Sequence, residues 1–122
     1  KELLDIYRNK TGRLIAAPLI MAACIAGKYE EEAEAFGLEL GKLFQITDDI
    51  LDATGESEKL GKTVGKDAAE QKLTAVKVYS LSGAQDKAEK SAARCRDILG
   101  SMELADTVFL SGIVDYVLKR DR

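Results

Sequence analysis

The sequence predicts an all-α protein, a bundle of helices, and three observations lead to this prediction. Apolar residues recur at intervals of three and four through most of the 122-residue chain, which is the period of an amphipathic helix. No segment has the alternating apolar and polar residues that are typical of a half-buried strand. One segment, residues 55–66 with three of the ten glycines of the chain, has the composition of a real loop.

The first half of the chain contains three predicted helices. A short one covers Glu2–Arg8, and a second covers Thr11–Ala26. The second helix carries the longest apolar run, Leu14–Gly27, which includes Pro18. Because a bilayer span needs about 20 apolar residues, we expect this run to be a helix buried in a larger core and not inserted in a membrane. The third helix, Glu30–Ala53, opens with four glutamates, which suit the positive end of a helix dipole.

The third helix has a broad apolar face and two glycines within it. Gly37 and Gly41 are four residues apart and therefore lie on one side of the helix. Glycine lowers helix stability relative to alanine, so this pair predicts close contact with another helix. The apolar face consists of Phe36, Leu40, Leu43, Phe44, Ile46, Ile50 and Leu51.

The second half of the chain is predicted to contain one loop and three helices. The loop covers Gly55–Lys66, in which Lys59 and Lys62 also alternate with glycines. Gly83 and Gly100 separate the helices that follow. These helices are Leu73–Leu81, Ala84–Leu99 and Ala105–Lys119, and the last has apolar residues at helical spacing at Val108, Phe109, Ile113, Val117 and Leu118.

Composition restricts the possible functions. The net charge of −3 gives no reason to expect binding to nucleic acid or to an anionic membrane. The sequence shows no signal-peptide pattern, and Cys24 and Cys95 lack metal-ligand spacing, so we expect reduced thiols in a cytoplasmic protein. The chain has no histidine. Any catalysis must therefore depend on carboxylates, lysines, hydroxyls, amides or metals.

Three carboxylates stand in the otherwise apolar segment Phe44–Asp52. Asp48 and Asp52 are four residues apart and share one helix face, whereas Asp49 is rotated by about 100° from Asp48. Like charges at this spacing repel, and a divalent cation would compensate. Mg²⁺ prefers one or two carboxylates together with phosphate oxygens, and the lysines of the predicted loop would neutralise further phosphate charge. Taken on its own, an acidic triplet on a helix is more often a solvated face than a metal site.

Four motifs in order resemble the C-terminal half of the trans-isoprenyl diphosphate synthases. They are KTGRLI at 10–15, GKLFQITDDILD at 41–52, LGKTVGKD at 60–67 and EQKLT at 70–74. The resemblance covers essentially the whole chain and is greatest to bacterial farnesyl and geranylgeranyl diphosphate synthases. It implies that residues 1–122 form the C-terminal half of a polyprenyl synthetase domain, part of the isoprenoid synthase fold, without its N-terminal half.

The resemblance also implies roles for individual residues. DDILD is similar to the second aspartate-rich motif of the family, in which Asp48 would be the main Mg²⁺ ligand and Asp49 and Asp52 would ligate directly or through water. The remaining matches concern the substrate diphosphate. Lys10 and Thr11 would contact the allylic diphosphate, Gln45 would lie beside the allylic substrate, and Lys62 and Lys72 would close over the diphosphate, with Thr11 and Gln45 also facing the developing carbocation.

The activity implied for the parent protein is a Mg²⁺-dependent prenyl transfer. An allylic diphosphate (dimethylallyl, geranyl or farnesyl) would ionise and alkylate isopentenyl diphosphate head to tail, with the released pyrophosphate as the base. The first aspartate-rich motif and the isopentenyl diphosphate site belong to the N-terminal half, so the isolated chain is expected to be inactive.

We also expect a homodimer or higher self-association, because one such chain cannot bury all its apolar faces. Three alternatives stay open from the sequence. They are a non-catalytic subunit of a heteromeric prenyl synthase, a terpene cyclase and a structural helical module.

Overall fold

The structure, a computed structural model, describes residues 1–59 and 73–120, and at residues 56–59 the backbone alone. Within these ranges there are helices and short connections and no strand, so the predicted all-α class is confirmed. The elements are α1 (Glu2–Tyr7), a π-helical turn (Arg8–Gly12), α2 (Arg13–Ala26), α3 (Glu30–Lys59), α4 (Ala75–Ser101) and α5 (Val108–Lys119).

The first two predicted helices form one continuous helical rod. Tyr7 and Arg13, which flank the π-helical turn, both have right-handed helical backbone angles, so the chain does not break between α1 and α2. α2 ends at Gly27, whose φ of 73° lies in the left-handed region that glycine adopts without steric cost. Both cysteines of the chain are free thiols, as expected.

α3 is the central helix and packs against α1, the π-helical turn, α2, α4 and α5. Four residues of its predicted apolar face are buried, namely Phe36, Leu40, Leu43 and Ile46. α3 also continues to Lys59, so the prediction of a loop from Gly55 is wrong in its first part. Glycine costs a helix interior only about 1 kcal/mol relative to alanine, and no proline follows it here. The rest of the predicted loop lies outside the described residues.

The rod and α3 run antiparallel with their backbones in contact. A Cβ atom built on Gly37 would lie 2.3 Å from the Cα of Ala16, and one on Gly41 would lie 2.3 Å from the Cα of Gly12. These separations are far below the contact distance of about 3.5–4.0 Å between carbon atoms. The predicted close helix contact at Gly37 and Gly41 is therefore confirmed, and both glycines are required by it.

α4 packs antiparallel to α3 and is broken near its start. Ser80 has a φ of 66° and a ψ of 170°, and its Oγ accepts a hydrogen bond of 3.2 Å from the Gly83 N–H, as an N-cap residue does. The predicted division into two helices is therefore present, but it lies at Ser80 rather than beside Gly83. The face of α4 in the core carries mostly small side chains, Ala84, Ala88, Ser91, Ala92 and Cys95, followed by Ile98 and Leu99.

Two helices expose much of their apolar surface. α2 buries Ala16 and Ala23, so the burial expected for its apolar run is not reached within this chain. α5 buries Val114 and Val117, so its predicted apolar face is only partly in the core. The exposed large apolar side chains of these two helices are Leu14, Met21, Ile25, Val108, Phe109 and Tyr116. In the part of the chain that the structure describes, no helix is both long and apolar enough to cross a membrane.

Candidate functional site

Asp48 lies on α3 with its side chain 43% exposed, and it is paired with Arg120. Arg120 follows the last residue of α5, and its Nη2 donates a hydrogen bond to Asp48 Oδ1. The same nitrogen is 3.2 Å from the Phe44 carbonyl oxygen and 3.2 Å from Thr47 Oγ1. The end of α5 is therefore attached to the turn of α3 that carries the first carboxylate of the acidic motif.

The guanidinium of Arg120 is held in place by more than its ion pair. Its Cζ lies 4.2 Å from the centroid of the Phe44 ring, a distance that allows a cation–π contact. The side chain is 15% exposed, and its Nε is buried without a hydrogen-bond partner in the described part of the chain. A cation is thus already placed next to Asp48 within this chain.

Asp49 faces a different side of α3 and is buried, with 7% of its surface exposed. Its Oδ2 accepts a hydrogen bond from the Tyr7 hydroxyl at the end of α1. The same oxygen accepts one of 2.8 Å from the N–H of Ala75, the first residue of α4. One carboxylate thus joins α1, α3 and α4. Helix rotation separates it from Asp48, as the spacing predicts.

Tyr7 is a buried partner whose hydroxyl stays protonated. Burial, followed by the hydrogen bond to Asp49 and the negative charge of that carboxylate, raises the pKa of Tyr7 well above its ordinary value of 10.0. A phenol that keeps its proton remains a donor to Asp49 throughout the neutral range. The Tyr7 hydroxyl therefore donates to Asp49 throughout the neutral pH range, and this hydrogen bond connects α1 to α3.

Lys10 and Thr11 both lie in the π-helical turn, next to the face of α3 that leads to Gln45. Thr11 is half-buried and Lys10 is exposed. A Cβ atom on Gly41 would lie 2.9 Å from the carbonyl carbon of Thr11, and Gln45, also half-buried, follows Gly41 by one helical turn. The structure thus brings Lys10, Thr11 and Gln45 to one region, and Asp48 lies three residues beyond Gln45.

Three predicted site residues remain, Asp52, Lys62 and Lys72. Asp52 is exposed one turn after Asp48 and takes part in an interaction of its own. Lys62 and Lys72 lie outside the described residues. In the ranges described, no three acidic or thiol side chains approach closely enough to hold one metal ion together. Metal binding by Asp48, Asp49 and Asp52 therefore stays a prediction.

Two residues at the site were not singled out from the sequence, Arg120 and Tyr7. Arg120 meets Asp48 across 72 residues of chain, and Tyr7 meets Asp49 across 42. Contacts of such range leave no local periodicity in the sequence. The sole indication was the group of basic residues that ends the chain, Lys119, Arg120 and Arg122.

The fold is an all-α bundle whose central helix carries an aspartate-rich motif. Comparison with known families shows which class of protein has these features. The polyprenyl synthetase family matches residues 1–108, which is most of the chain. The chain therefore belongs to the polyprenyl synthetase family.

Individual relatives agree with this assignment. The chain is 37% identical over 98% of its length to geranylgeranyl pyrophosphate synthase 7, chloroplastic, of Arabidopsis thaliana, of which it covers 35%. It is 38% identical over 87% of its length to the short chain isoprenyl diphosphate synthase of Methanocaldococcus jannaschii, of which it covers 32%. With the farnesyl diphosphate synthase of Bacillus subtilis, identity is 35% over 99% of the chain and 42% of that protein. The chain thus spans about a third to two fifths of these relatives.

Proposed function

We propose that this chain is the C-terminal half of the catalytic domain of a trans-prenyltransferase that makes short-chain isoprenoid diphosphates. The parent protein would condense an allylic diphosphate with isopentenyl diphosphate, giving farnesyl or geranylgeranyl diphosphate. The isolated 122 residues would bind diphosphate without turnover. Membership of the polyprenyl synthetase family supports the reaction class, and the names of the relatives support short-chain products.

The observation that carries the proposal is the placement of an accessible carboxylate beside the predicted diphosphate-binding turn. Asp48 is 43% exposed and lies three residues after Gln45 on α3. The backbone contact between Gly12 and Gly41 fixes the turn with Lys10 and Thr11 against the same helix. Gln45 and Asp48 follow Gly41 by four and seven residues and therefore share its helix face. On this basis an ammonium group, a hydroxyl, an amide and a carboxylate would face one region, and such a set suits a metal-bound diphosphate.

The donor set of α3 fits Mg²⁺ through Asp48 and Asp52. They are the two exposed or half-exposed carboxylates of the motif and share one helix face, and Mg²⁺ usually takes one or two carboxylates together with substrate phosphate oxygens. When bound, Mg²⁺ would neutralise charge on the diphosphate and make it a better leaving group. Lys10 would bind the diphosphate oxygens, and the oxygen dipoles of Thr11 and Gln45 would face the positive charge that develops on the allylic carbon.

Arg120 would compete with the metal for Asp48. In the structure its guanidinium supplies the positive charge next to this carboxylate, and a divalent cation bound to the same oxygens would have to displace it. Arg120 would then retain its contact with the Phe44 ring. We therefore expect metal affinity to rise in Arg120→Gln, measured as Mn²⁺ binding by electron paramagnetic resonance. Unchanged or weaker binding would contradict the competition.

The proposal is tested by calorimetric titration of the chain with inorganic diphosphate in the presence and absence of Mg²⁺. We expect binding that needs Mg²⁺ and weakens by about tenfold or more in Asp48→Asn, because interactions of charged groups contribute roughly 1.5–3 kcal/mol. Asp97→Asn is the matched control. Asp97 is exposed on α4 and lines a surface depression with Glu31 and Glu32, near the opposite end of α3. Equal affinity in wild type and Asp48→Asn would refute the proposal.

We further propose self-association through the exposed apolar sides of α2 and α5. Leu14, Ile25 and Phe109 are 77%, 89% and 77% exposed, and large apolar side chains left exposed on a helix can mark interaction sites. A homodimer or larger assembly is expected in light scattering. A monodisperse monomer at tens of micromolar would contradict it.

A second candidate function is that of a non-catalytic subunit in a heteromeric prenyl synthase. One relative, 36% identical over 94% of the chain, is the heterodimeric geranylgeranyl pyrophosphate synthase large subunit 1, chloroplastic, of Arabidopsis thaliana. The titration above separates the two candidates. A non-catalytic subunit would show no Mg²⁺-dependent diphosphate binding, whereas a catalytic half retains the metal-binding face of α3.

A further inference from the structure

The π-helical turn that carries Lys10 and Thr11 is held against α3 at both of its ends. At one end Tyr7, the residue before the turn, donates its hydroxyl hydrogen bond to Asp49. At the other end Gly12, the last residue of the turn, meets the backbone of Gly41. π-helical turns are rare and occur frequently at functional sites. The two anchors together determine where the turn lies relative to Asp48.

Asp49 is the polar member of these anchors, and its carboxylate is already engaged within the fold. Asp49 and Tyr7 are 7% and 5% exposed, so water has little access to this contact. The Asp49 oxygen that bonds Tyr7 also accepts the N–H of Ala75. A helix leaves its first N–H groups without internal partners, and its N-terminus attracts negative charge. The charge of Asp49 thus already has a stabilising partner at the start of α4.

We propose that Asp49 is a positioning residue for the turn Arg8–Gly12 and not a ligand of the metal. It holds Tyr7, and through Tyr7 it sets the distance between Lys10 and Thr11 on the turn and Asp48 on α3. The inference rests on the proposed function, because it assigns different tasks to adjacent carboxylates of one motif. Asp48 would hold the cation, and Asp49 would place the groups that bind the diphosphate beside it.

The test compares two affinities in four variants of the chain. Binding of Mn²⁺ alone is measured by electron paramagnetic resonance, and its affinity depends on the residues that bind the metal. Binding of inorganic diphosphate at saturating Mn²⁺ is measured by calorimetry. Its affinity depends on the metal ligands and also on the position of the turn. The variants are Asp48→Asn, Asp49→Asn, Asp49→Ala and Tyr7→Phe. Asparagine at 49 keeps one oxygen that can accept from both Tyr7 and Ala75, so it preserves the anchor without the charge.

We expect Asp49→Asn to change Mn²⁺ affinity by less than about threefold, whereas Asp48→Asn lowers it by about tenfold or more. In Tyr7→Phe and Asp49→Ala, diphosphate affinity falls several-fold while the Mn²⁺ constant stays near that of wild type. If Asp49→Ala does not fold, Tyr7→Phe gives the same information with a smaller change.

Three results would overturn the inference. If Asp49→Asn loses as much Mn²⁺ affinity as Asp48→Asn, Asp49 is a ligand, and the proposed function still stands. If Asp48→Asn loses neither affinity, the proposed function fails and the inference fails with it. Equal diphosphate affinity in Tyr7→Phe and wild type would refute the positioning role alone.

Discussion

The contact between Gly41 and Gly12 leads to a quantitative prediction about stability. In Gly41→Ala the new Cβ would lie 2.3 Å from the Cα of Gly12, 2.4 Å from its nitrogen and 2.9 Å from the carbonyl carbon of Thr11. All three are backbone atoms, so no change of side-chain rotamer can relieve the overlap. The π-helical turn must move away from α3 by about 1 Å or more to reach ordinary contact distance.

The net effect is the difference between two opposing contributions. Overpacking of a close contact typically costs about 1–3 kcal/mol, and a clash with rigid backbone belongs at the upper end. Replacing glycine by alanine in a helix stabilises it by about 1 kcal/mol. We therefore expect Gly41→Ala to lower the free energy of unfolding by about 2 kcal/mol, which for a chain of this size lowers Tm by about 8 °C.

Thermal unfolding followed by circular dichroism at 222 nm tests this prediction, with Gly112→Ala as the matched control. Gly112 lies inside α5, and a Cβ built on it meets nothing within 4 Å. The same substitution should therefore raise Tm there by a few degrees, because the helix-propensity gain acts unopposed. Opposite signs at the two sites are expected. If Gly41→Ala unfolds at or above the wild-type temperature, the inference of backbone contact is wrong.

Three further predictions follow from the titratable groups. Burial raises the pKa of the Cys95 thiol to about 12, so a disulfide reagent at pH 8 should modify exposed Cys24 alone in the native chain and both thiols in denaturant. Cys24→Ala should then show no reaction until it unfolds. The raised pKa of Tyr7 stabilises the fold below its ordinary value of 10.0, and this contribution is lost as the pH rises above that value. The free energy of unfolding should thus fall less steeply above pH 10 in Tyr7→Phe than in wild type, and equal slopes would contradict the link. The exposed Arg96 guanidinium, 2.6 Å from Asp115, lowers the pKa of that carboxyl. The small contribution of the Arg96–Asp115 ion pair to stability should be lost as the pH falls below the ordinary carboxyl pKa of 3.8, and salt should weaken it. A large loss of Tm in Asp115→Asn at high salt would contradict this prediction.

The fold was predictable from the sequence wherever local periodicity determines it. The apolar face of α3 and its two interior glycines correctly predicted a helix in close contact with a neighbour. Helix ends were less predictable, since Gly55 stays within α3 and Ser80, not Gly83, interrupts α4. Gly55 and Gly83 both stay helical, because one glycine costs a helix interior only about 1 kcal/mol relative to alanine.

The candidate site was predictable only in part, for a physical reason. The resemblance to the family and the spacing of the motif indicated Asp48, and helix geometry alone indicated that Asp49 lies on another face. The partners of these carboxylates come from the two ends of the chain, Tyr7 and Arg120. Which distant residue reaches a given helix face depends on how all the helices pack, and no short segment contains that information.

The two adjacent carboxylates of the motif have different surroundings. Rotation of about 100° between neighbours on a helix leaves Asp48 half-exposed beside Arg120 and turns Asp49 into the core against Tyr7 and Ala75. Under the proposal that Asp49 is a positioning residue, a count of acidic residues overstates the number of metal ligands that this helix presents to one ion. In the same proposal the second carboxylate serves the site through Tyr7, whose hydroxyl it binds directly before the turn that carries Lys10 and Thr11.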